Sequence, residues 1–142
     1  MHIKKAANKG LSKVCTPMAQ NSLNVLGEPL QLCSCKPMTG WQRDGFCKTD
    51  ATDFGQHTVC CVMTKSFLTY SKAQGNDLST PIPEYDFPGL KPGDHWCLCA
   101  PRWKQAFDDG MAPSVCLKAT EIGALKVIGI ELLMQHAYRQ NE

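Results

Sequence analysis

The sequence predicts a single α+β domain with a mostly antiparallel sheet and packed helices. Short apolar segments of strand length are interspersed with amphipathic helical segments, and they follow no regular βαβ rhythm. A length of 142 residues, with 43% hydrophobic and 20% charged side chains, is typical of one globular domain. We expect residues 1–22 to form a flexible basic tail and residues 23–142 to form the domain.

The charge and hydropathy pattern excludes several classes of partner. The formal net charge is +2, and no basic face is interleaved with aromatic side chains, so no nucleic-acid partner is expected. No apolar run approaches the roughly 18 residues of a membrane span. The first residues, MHIKKAANKG, are not followed by the apolar segment of a secretory signal. We therefore expect a cytoplasmic protein without a membrane partner, whose nine cysteines are reduced.

The first third of the domain is expected to contain one strand among extended and looped segments. NVLGEPLQLCSCKP, residues 24–37, is extended, with Cys33 and Cys35 on one face. Residues 38–56 form a loop, because Gly, Asp and Thr recur every few positions and no apolar period survives. HTVCCVM, residues 57–63, is short and apolar on both faces, which predicts a buried strand.

A capped helix and a proline-rich loop follow this strand. Thr64 is a suitable N-cap for KSFLTYSKAQ, and Gly75 suits the left-handed position that ends a helix. The segment 76–94 contains four prolines, which exclude a helix and favour an ordered, extended loop. Long loops of this kind often have a function.

The second half of the chain is expected to alternate strands and helices. HWCLCA, residues 95–100, predicts a strand, and PRWKQAFDD, residues 101–109, predicts a helix that begins at a proline and ends at Gly110. PSVCLKAT, residues 113–120, predicts another strand. After a short helical turn, IELLMQHAYRQ, residues 130–140, predicts a closing amphipathic helix.

The cysteines suggest zinc, but their spacing is poor for it. Structural zinc sites typically use CxxC turns, whereas this chain has Cys33-Ser-Cys35 and Cys97-Leu-Cys99 in extended segments. Such neighbours on a strand are about 6.5 Å apart, while two sulfurs on one zinc ion lie only about 3.7 Å apart. Zinc, or a thiol-dependent enzyme, is therefore the alternative hypothesis, and it uses Cys33, Cys47, His57, Cys60, Cys97 and Cys99.

The spacing of the cysteines gives little support to a functional redox pair or to a nucleophilic cysteine. A disulfide within one CxC pair would be strained, whereas a cross-strand bridge such as Cys60 to Cys97 would form easily between neighbouring strands. Cys99 stands two residues before a predicted helix, where a thiol can be activated. No catalytic motif is present. The favoured interpretation is that the sulfurs are buried core thiols, with Trp96 on the opposite face of the strand from Cys97.

Polar loop residues predict a binding site instead. We expect a soluble binding or interaction domain whose small polar pocket is formed by the 76–94 loop and the start of the 101–110 helix. Arg102 and the helix N-terminus would suit a small anionic ligand. In the competing interpretation Asn76 and Asp77 only cap their own turns; a structural partner subunit with an exposed apolar patch is the third hypothesis. The candidate ligand-binding residues are Arg43, Asp44, Asn76, Asp77, Asp94, Trp96 and Arg102.

Several strings together resemble a known family. NVLGEPLQLCS, TGWQRDGFC, GQHTVCCVMT, GNDLSTPIPEYDFPGLKPGDHWCLCAPRW and APSVCLKAT occur in order between about Asn24 and Ala137. They are similar to the bacterial and plant family called domain of unknown function 2237 (DUF2237). The resemblance implies no activity, cofactor or partner, because the family has no assigned function.

The resemblance separates the cysteines into two groups. Matching positions of the family pattern are occupied by Cys33, Cys47, Cys60, Cys97 and Cys99, and also by His57, Asn76, Asp77, Trp96 and Arg102. Cys35, Cys61 and Cys116 stand where the family has other residues. Glu121 stands where the resemblance implies a histidine, so a site that needs this histidine is in doubt here.

Overall fold

Two short antiparallel strands occupy the centre of the structure, a computed structural model that describes residues 21–139. Strand β1 is Val59–Val62 and strand β2 is His95–Leu98. They pair with Val59 opposite Leu98 and with Cys60 opposite Cys97. The α+β class and the antiparallel pairing predicted from the sequence are confirmed, although the sheet is small. The predicted tail lies outside the described residues except for positions 21 and 22.

Between residues 21 and 139, three α-helices pack with this strand pair in the main core. They are α1 (Lys65–Ala73), α2 (Ala100–Asp108) and α3 (Ile130–Gln135). Helix α1 begins as predicted, because the Thr64 hydroxyl accepts the backbone N–H of Phe67 at 3.0 Å. None of the helices within residues 21–139 is long and apolar enough to cross a membrane.

The part of the chain that the structure describes also contains three short 3₁₀ helices, at Pro83–Tyr85, Leu117–Ala119 and Ile122–Lys126. The predicted strand over residues 113–120 is wrong. Val115 alone makes bridges, to Cys61 and to Ala137, because the chain turns into a 3₁₀ helix two residues later. The closing helix ends at Gln135, earlier than the predicted residue 140.

The alternation of β2 divides the interior into two clusters, as the sequence predicts. Trp96 and Leu98 face the main core, where they pack with Trp103 and the helices. Cys97 faces the other way, into a smaller cluster with Cys60. The main core therefore lies on one side of the strands, and the cysteine-rich loops lie on the other.

The proline-rich loop is closed by a glycine that approaches another backbone segment. Gly89 has a φ of +80°, and a Cβ there would collide with the carbonyl oxygen of Ser79. The backbone N–H of the next residue, Leu90, donates to the carbonyl of Leu78 at 2.8 Å. This contact fixes the second half of the 76–94 loop against its first half.

Replacing this glycine tests the close approach. Gly89→Ala should lose about 1 kcal/mol through its left-handed conformation and a further ~1–3 kcal/mol because the backbone must move. Gly110→Ala is the matched control, since Gly110 has a φ of +72° but open space around its Cα. Chemical denaturation should show the larger loss at Gly89. Equal losses would contradict the close approach.

Candidate functional site

The two strands place Cys60 and Cys97 directly opposite each other. Neither backbone N–H donates across the pair. The N–H of Cys60 donates to the Thr120 hydroxyl at 3.1 Å, and the N–H of Cys97 donates to the Thr39 hydroxyl at 2.9 Å. Cys60 and Cys97 are therefore a non-hydrogen-bonded pair, the kind of opposed pair in an antiparallel ladder whose side chains lie closest together. The side chains of Cys60 and Cys97 therefore lie next to each other on one face of the two strands.

Each of these cysteines is bonded to a cysteine from the preceding loops. Cys33 and Cys60 form one disulfide, with a Cα–Cα distance of 5.9 Å, and Cys47 and Cys97 form another, with a Cα–Cα distance of 5.2 Å. Both distances are usual for disulfides. The structure thus differs from the expected reduced thiols. Cys35 is also disulfide-bonded.

The two disulfides pack against each other, and we call Cys33, Cys47, Cys60 and Cys97 the sulfur cluster. The Sγ atoms of Cys33, Cys47 and Cys97 all lie within 4.8 Å of one another. Cys33 is 8% exposed and the other three are at most 1% exposed. The prediction of buried sulfurs holds for this cluster, whereas zinc stays an expectation.

A free thiol and a histidine border the sulfur cluster. The Cys116 Sγ lies 3.7 Å from the Nδ1 of His95. The Cys116 Sγ, a ring nitrogen of His95 and the Cys60 Sγ all lie within 4.8 Å of one another, and Cys116 and His95 are half-buried. Burial raises the pKa of the Cys116 thiol to about 11. A protonated thiol therefore lies beside a disulfide and has an imidazole next to it.

His57 and Cys99, which were grouped with the sulfur cluster in the metal hypothesis, lie at another place. The Nδ1 of His57 lies 2.6 Å from Asp53 Oδ1, and the backbone N–H of His57 donates to Asp53 Oδ2 at 2.9 Å. Burial raises the pKa of Asp53, but the hydrogen bonds and charge of His57 outweigh it and the pKa is lowered. Cys99 is the N-cap residue of α2. We call these three residues the Asp53–His57–Cys99 group.

Glu121 lies near this group. Its carboxylate accepts the backbone N–H groups of Thr49 and Gly123; burial raises its pKa, and the negative charge of Asp53 raises it too. The position at which the resemblance implies a histidine is therefore beside the Asp53–His57 pair. An acidic side chain occupies it here.

The predicted ligand-binding residues are dispersed. Arg43 is half-buried with its guanidinium 5.7 Å from the centre of the Trp96 ring. Burial lowers the pKa of Arg43, and the charge of Asp86 opposes this effect. Asp44 binds Lys48 at 2.6 Å. Arg102 donates to the carbonyl of Gln74 at the end of α1, at 3.1 Å.

The remaining predicted residues act mainly within their own turns. Asp77 accepts hydrogen bonds from Ser79 and Thr80, and the carbonyl of Asn76 accepts the Ser71 hydroxyl at 2.7 Å. Asp94 accepts the backbone N–H of Lys91 at 2.9 Å. These contacts agree with the competing interpretation, in which such residues cap their loops.

One cavity involves the proline-rich loop. It has a volume of about 430 Å³ and is lined by residues 35–38 and by part of the segment 86–94, including Asp94. The start of α2 and Arg102 do not line it. The anion pocket between the loop and the helix therefore stays a prediction.

Comparison with known proteins identifies a family and no function. The model of the family described as "Uncharacterized protein conserved in bacteria (DUF2237)" matches residues 23–137. No curated protein matches the chain.

Five side chains that contribute to these sites are not among the predicted site residues: Thr39, Asp53, His95, Cys116 and Thr120. Cys116 departs from the family pattern, and an aspartate in a loop rich in Gly and Thr, such as Asp53, is typical of a turn. Strand alternation predicts that His95 shares a face with Cys97, and the structure confirms it. The hydroxyls of Thr39 and Thr120 carry no sequence signal that connects them with the strands.

A substitution at Thr39 tests how the sulfur cluster is positioned. Thr39→Val keeps the shape but leaves the buried N–H of Cys97 without its acceptor, which should cost about 1–3 kcal/mol. Thr39→Ser keeps the hydroxyl and loses one methyl group, about 0.8 kcal/mol. Thermal unfolding should rank Val below Ser. The hydrogen bond has no importance for stability if the valine variant is the more stable one.

Proposed function

The chain belongs to the DUF2237 family, which has no assigned activity, and we propose that it is a thiol–disulfide exchange protein acting on thiols or disulfides of other molecules. One observation carries this proposal. The half-buried thiol of Cys116 lies within 4.8 Å of the Cys60 sulfur, and Cys60 is disulfide-bonded to Cys33. A thiol beside a disulfide has the arrangement that exchange requires.

The exchange step balances within the chain. The Cys116 thiol gives its proton to His95, and the resulting thiolate attacks the Cys60 sulfur. The Cys33–Cys60 bond breaks as the Cys60–Cys116 bond forms, and Cys33 leaves as a thiolate that takes up a proton. The number of disulfides does not change.

The consequence of this step is to bring a disulfide to the surface. The Cys33–Cys60 bond is buried, whereas the new bond includes the half-exposed Cys116. One thiol of an external dithiol can attack the Cys116 sulfur, which forms a mixed disulfide and frees Cys60. The second thiol of the same molecule then attacks the mixed disulfide and frees Cys116. The external dithiol becomes a disulfide, and Cys60 and Cys116 become thiols, so two electrons enter the chain.

The second disulfide extends this chemistry inward. After the first exchange the Cys33 thiolate lies beside the Cys47–Cys97 bond, because these sulfurs are within 4.8 Å of one another. The Cys33 thiolate can attack either sulfur of the Cys47–Cys97 bond, so that a second exchange moves the free thiol to Cys47 or Cys97. The competing interpretation is that both disulfides are only structural, in which case the native protein would resist reduction.

A reduction experiment separates these interpretations. Oxidised full-length protein is treated with dithiothreitol, and the released thiols are located by alkylation and mass spectrometry. Reduction of Cys33–Cys60 should slow at least about tenfold in Cys116→Ser, because the buried bond loses its internal nucleophile. Cys99→Ala, which removes a free thiol outside the cluster, should keep the rate of the unmodified protein.

The pH dependence gives a second readout of the same step. The pKa of Cys116 is about 11, so the thiolate fraction and the rate should rise with pH up to that value. Equal rates in Cys116→Ser and the unmodified protein, or reduction only after denaturant is added, would contradict the proposal.

The zinc hypothesis applies to the reduced state of the same sulfurs. Three of them are already within 4.8 Å of one another, and modest movement would allow the 3.7 Å spacing of a zinc site. If zinc binds, protein reduced without thiols and then dialysed against zinc should retain about one ion per chain by elemental analysis. Cys47→Ser should lose it and Cys99→Ala should keep it. Zinc held equally by all three proteins would exclude the sulfur cluster as its site.

A further inference from the structure

We propose that reduction of the Cys33–Cys60 disulfide creates a zinc site beside the sulfur cluster. Its ligands are Cys60, His95 and Cys116, whose two sulfurs and one ring nitrogen all lie within 4.8 Å of one another. His95 and Cys116 lie outside the sulfur cluster, so this site differs from one made of its four sulfurs. The site needs an open Cys33–Cys60 bond and does not rest on the exchange function.

The backbone places the three ligands from three segments of the chain. Cys60 and His95 lie on the same face of the paired strands, since Cys60 is opposite Cys97 and His95 is two residues before Cys97. Diagonal neighbours of this kind are within reach of long side chains. The third ligand follows α2, where the N–H of Cys116 donates to the carbonyl of Cys60 at 2.8 Å. Hydrogen-bonded backbone therefore fixes the positions of the ligands.

The spacing of the ligand atoms is close to what zinc requires. With Zn–S bonds near 2.3 Å and Zn–N bonds near 2.0–2.1 Å, a sulfur and a nitrogen on one tetrahedral ion lie about 3.6 Å apart. The Cys116 Sγ lies 3.7 Å from the Nδ1 of His95. Two sulfurs on one ion lie about 3.7 Å apart, so the Sγ atoms of Cys60 and Cys116, now within 4.8 Å, need to approach by at most about 1.1 Å.

The donor set and its exposure favour zinc with a water molecule as the fourth ligand. Thiolate and imidazole are both ligands of zinc, and three protein ligands leave one tetrahedral position open. His95 and Cys116 are half-buried, so water reaches this side of the site, whereas Cys60 is fully buried. Burial raises the pKa of Cys116 to about 11, so the ion has to displace a proton from this sulfur, as metal ions do at coordinating thiols.

The state of the Cys33–Cys60 bond controls the site. In the disulfide, the Cys60 sulfur is bonded to Cys33, and the two remaining ligands are too few for a zinc site. Reduction by an external dithiol, which itself becomes a disulfide, turns the bond into two thiols and completes the ligand set. An ion bound there also occupies the Cys116 sulfur, so this sulfur cannot take part in exchange while the ion is held.

Titration with cobalt(II), a coloured substitute for zinc, tests the site. The parent protein is Cys33→Ser, in which Cys60 cannot form its disulfide with residue 33. It is reduced, separated from the reductant without oxygen and titrated. The parent should bind about one cobalt ion per chain with a thiolate-to-cobalt absorption band. An excess of zinc should remove the band, since the two ions compete for the same ligands.

Substitution of the two ligands outside the sulfur cluster identifies the site. In the Cys33→Ser parent, Cys116→Ser and His95→Gln should each weaken cobalt binding at least about a hundredfold, since even loss of an outer-shell partner costs about 10–100-fold. Cys99→Ala is the matched control, which removes a thiol outside the site and should keep the affinity of the parent. Thermal unfolding of each variant distinguishes loss of a ligand from loss of the fold.

Four results would overturn the site. They are a parent that binds no cobalt, an absorption band that excess zinc leaves in place, an unchanged affinity in folded Cys116→Ser or His95→Gln, and equally tight binding by the unmodified, oxidised protein. The last result would exclude Cys60 as a ligand. The exchange function can fail without affecting these results, because it is measured as a rate of reduction in the oxidised protein.

Discussion

The rest of the structure depends on two disulfides, which join Cys33 and Cys47 of the preceding loops to Cys60 of β1 and Cys97 of β2. The strands have only four residues each, and an isolated two-stranded pair is marginally stable in water. The disulfides span 27 and 50 residues of sequence, so in the chain-entropy model each contributes about 3–4 kcal/mol. They attach irregular segments, which lack a ladder of their own, to the centre of the protein.

The alternation of side chains along β2 then separates the apolar core from the sulfur cluster, because it directs them to opposite faces of the strand. Trp96 and Leu98 direct one face of β2 into a core closed by the helices, whereas Cys97 directs the other face toward the loops. Thr39 and Thr120 accept the outward N–H groups of Cys97 and Cys60. The sulfur cluster is therefore held rigidly on one face, while the core on the other face remains free of reactive disulfides.

Local patterns made part of this arrangement predictable. The Thr64 cap, the start of α1 and the opposite faces of Trp96 and Cys97 depend on neighbouring residues, and the sequence predicts them correctly. The disulfide partners depend on the path of residues 38–56, which has no apolar period, and the expected reduced thiols followed only from the lack of an export signal. Cys99 was expected to share a face with Cys97, but β2 ends at Leu98 and α2 begins at Ala100, so the sulfur turns away.

The three free thiols within residues 21–139 show how strongly the surroundings of one residue type can differ. Cys61 lies in the apolar core, where burial, and to a smaller extent the charge of Cys116, raise its pKa. Cys116 has His95 and a disulfide within 4.8 Å, which is the arrangement on which the proposed exchange rests. Cys99 lies at the start of α2, where burial raises its pKa and the positive charge of Arg102 opposes that rise. The neighbours of each sulfur therefore differ more than its exposure does, since Cys61 and Cys99 are both buried and Cys116 alone of the three lies beside a disulfide and an imidazole.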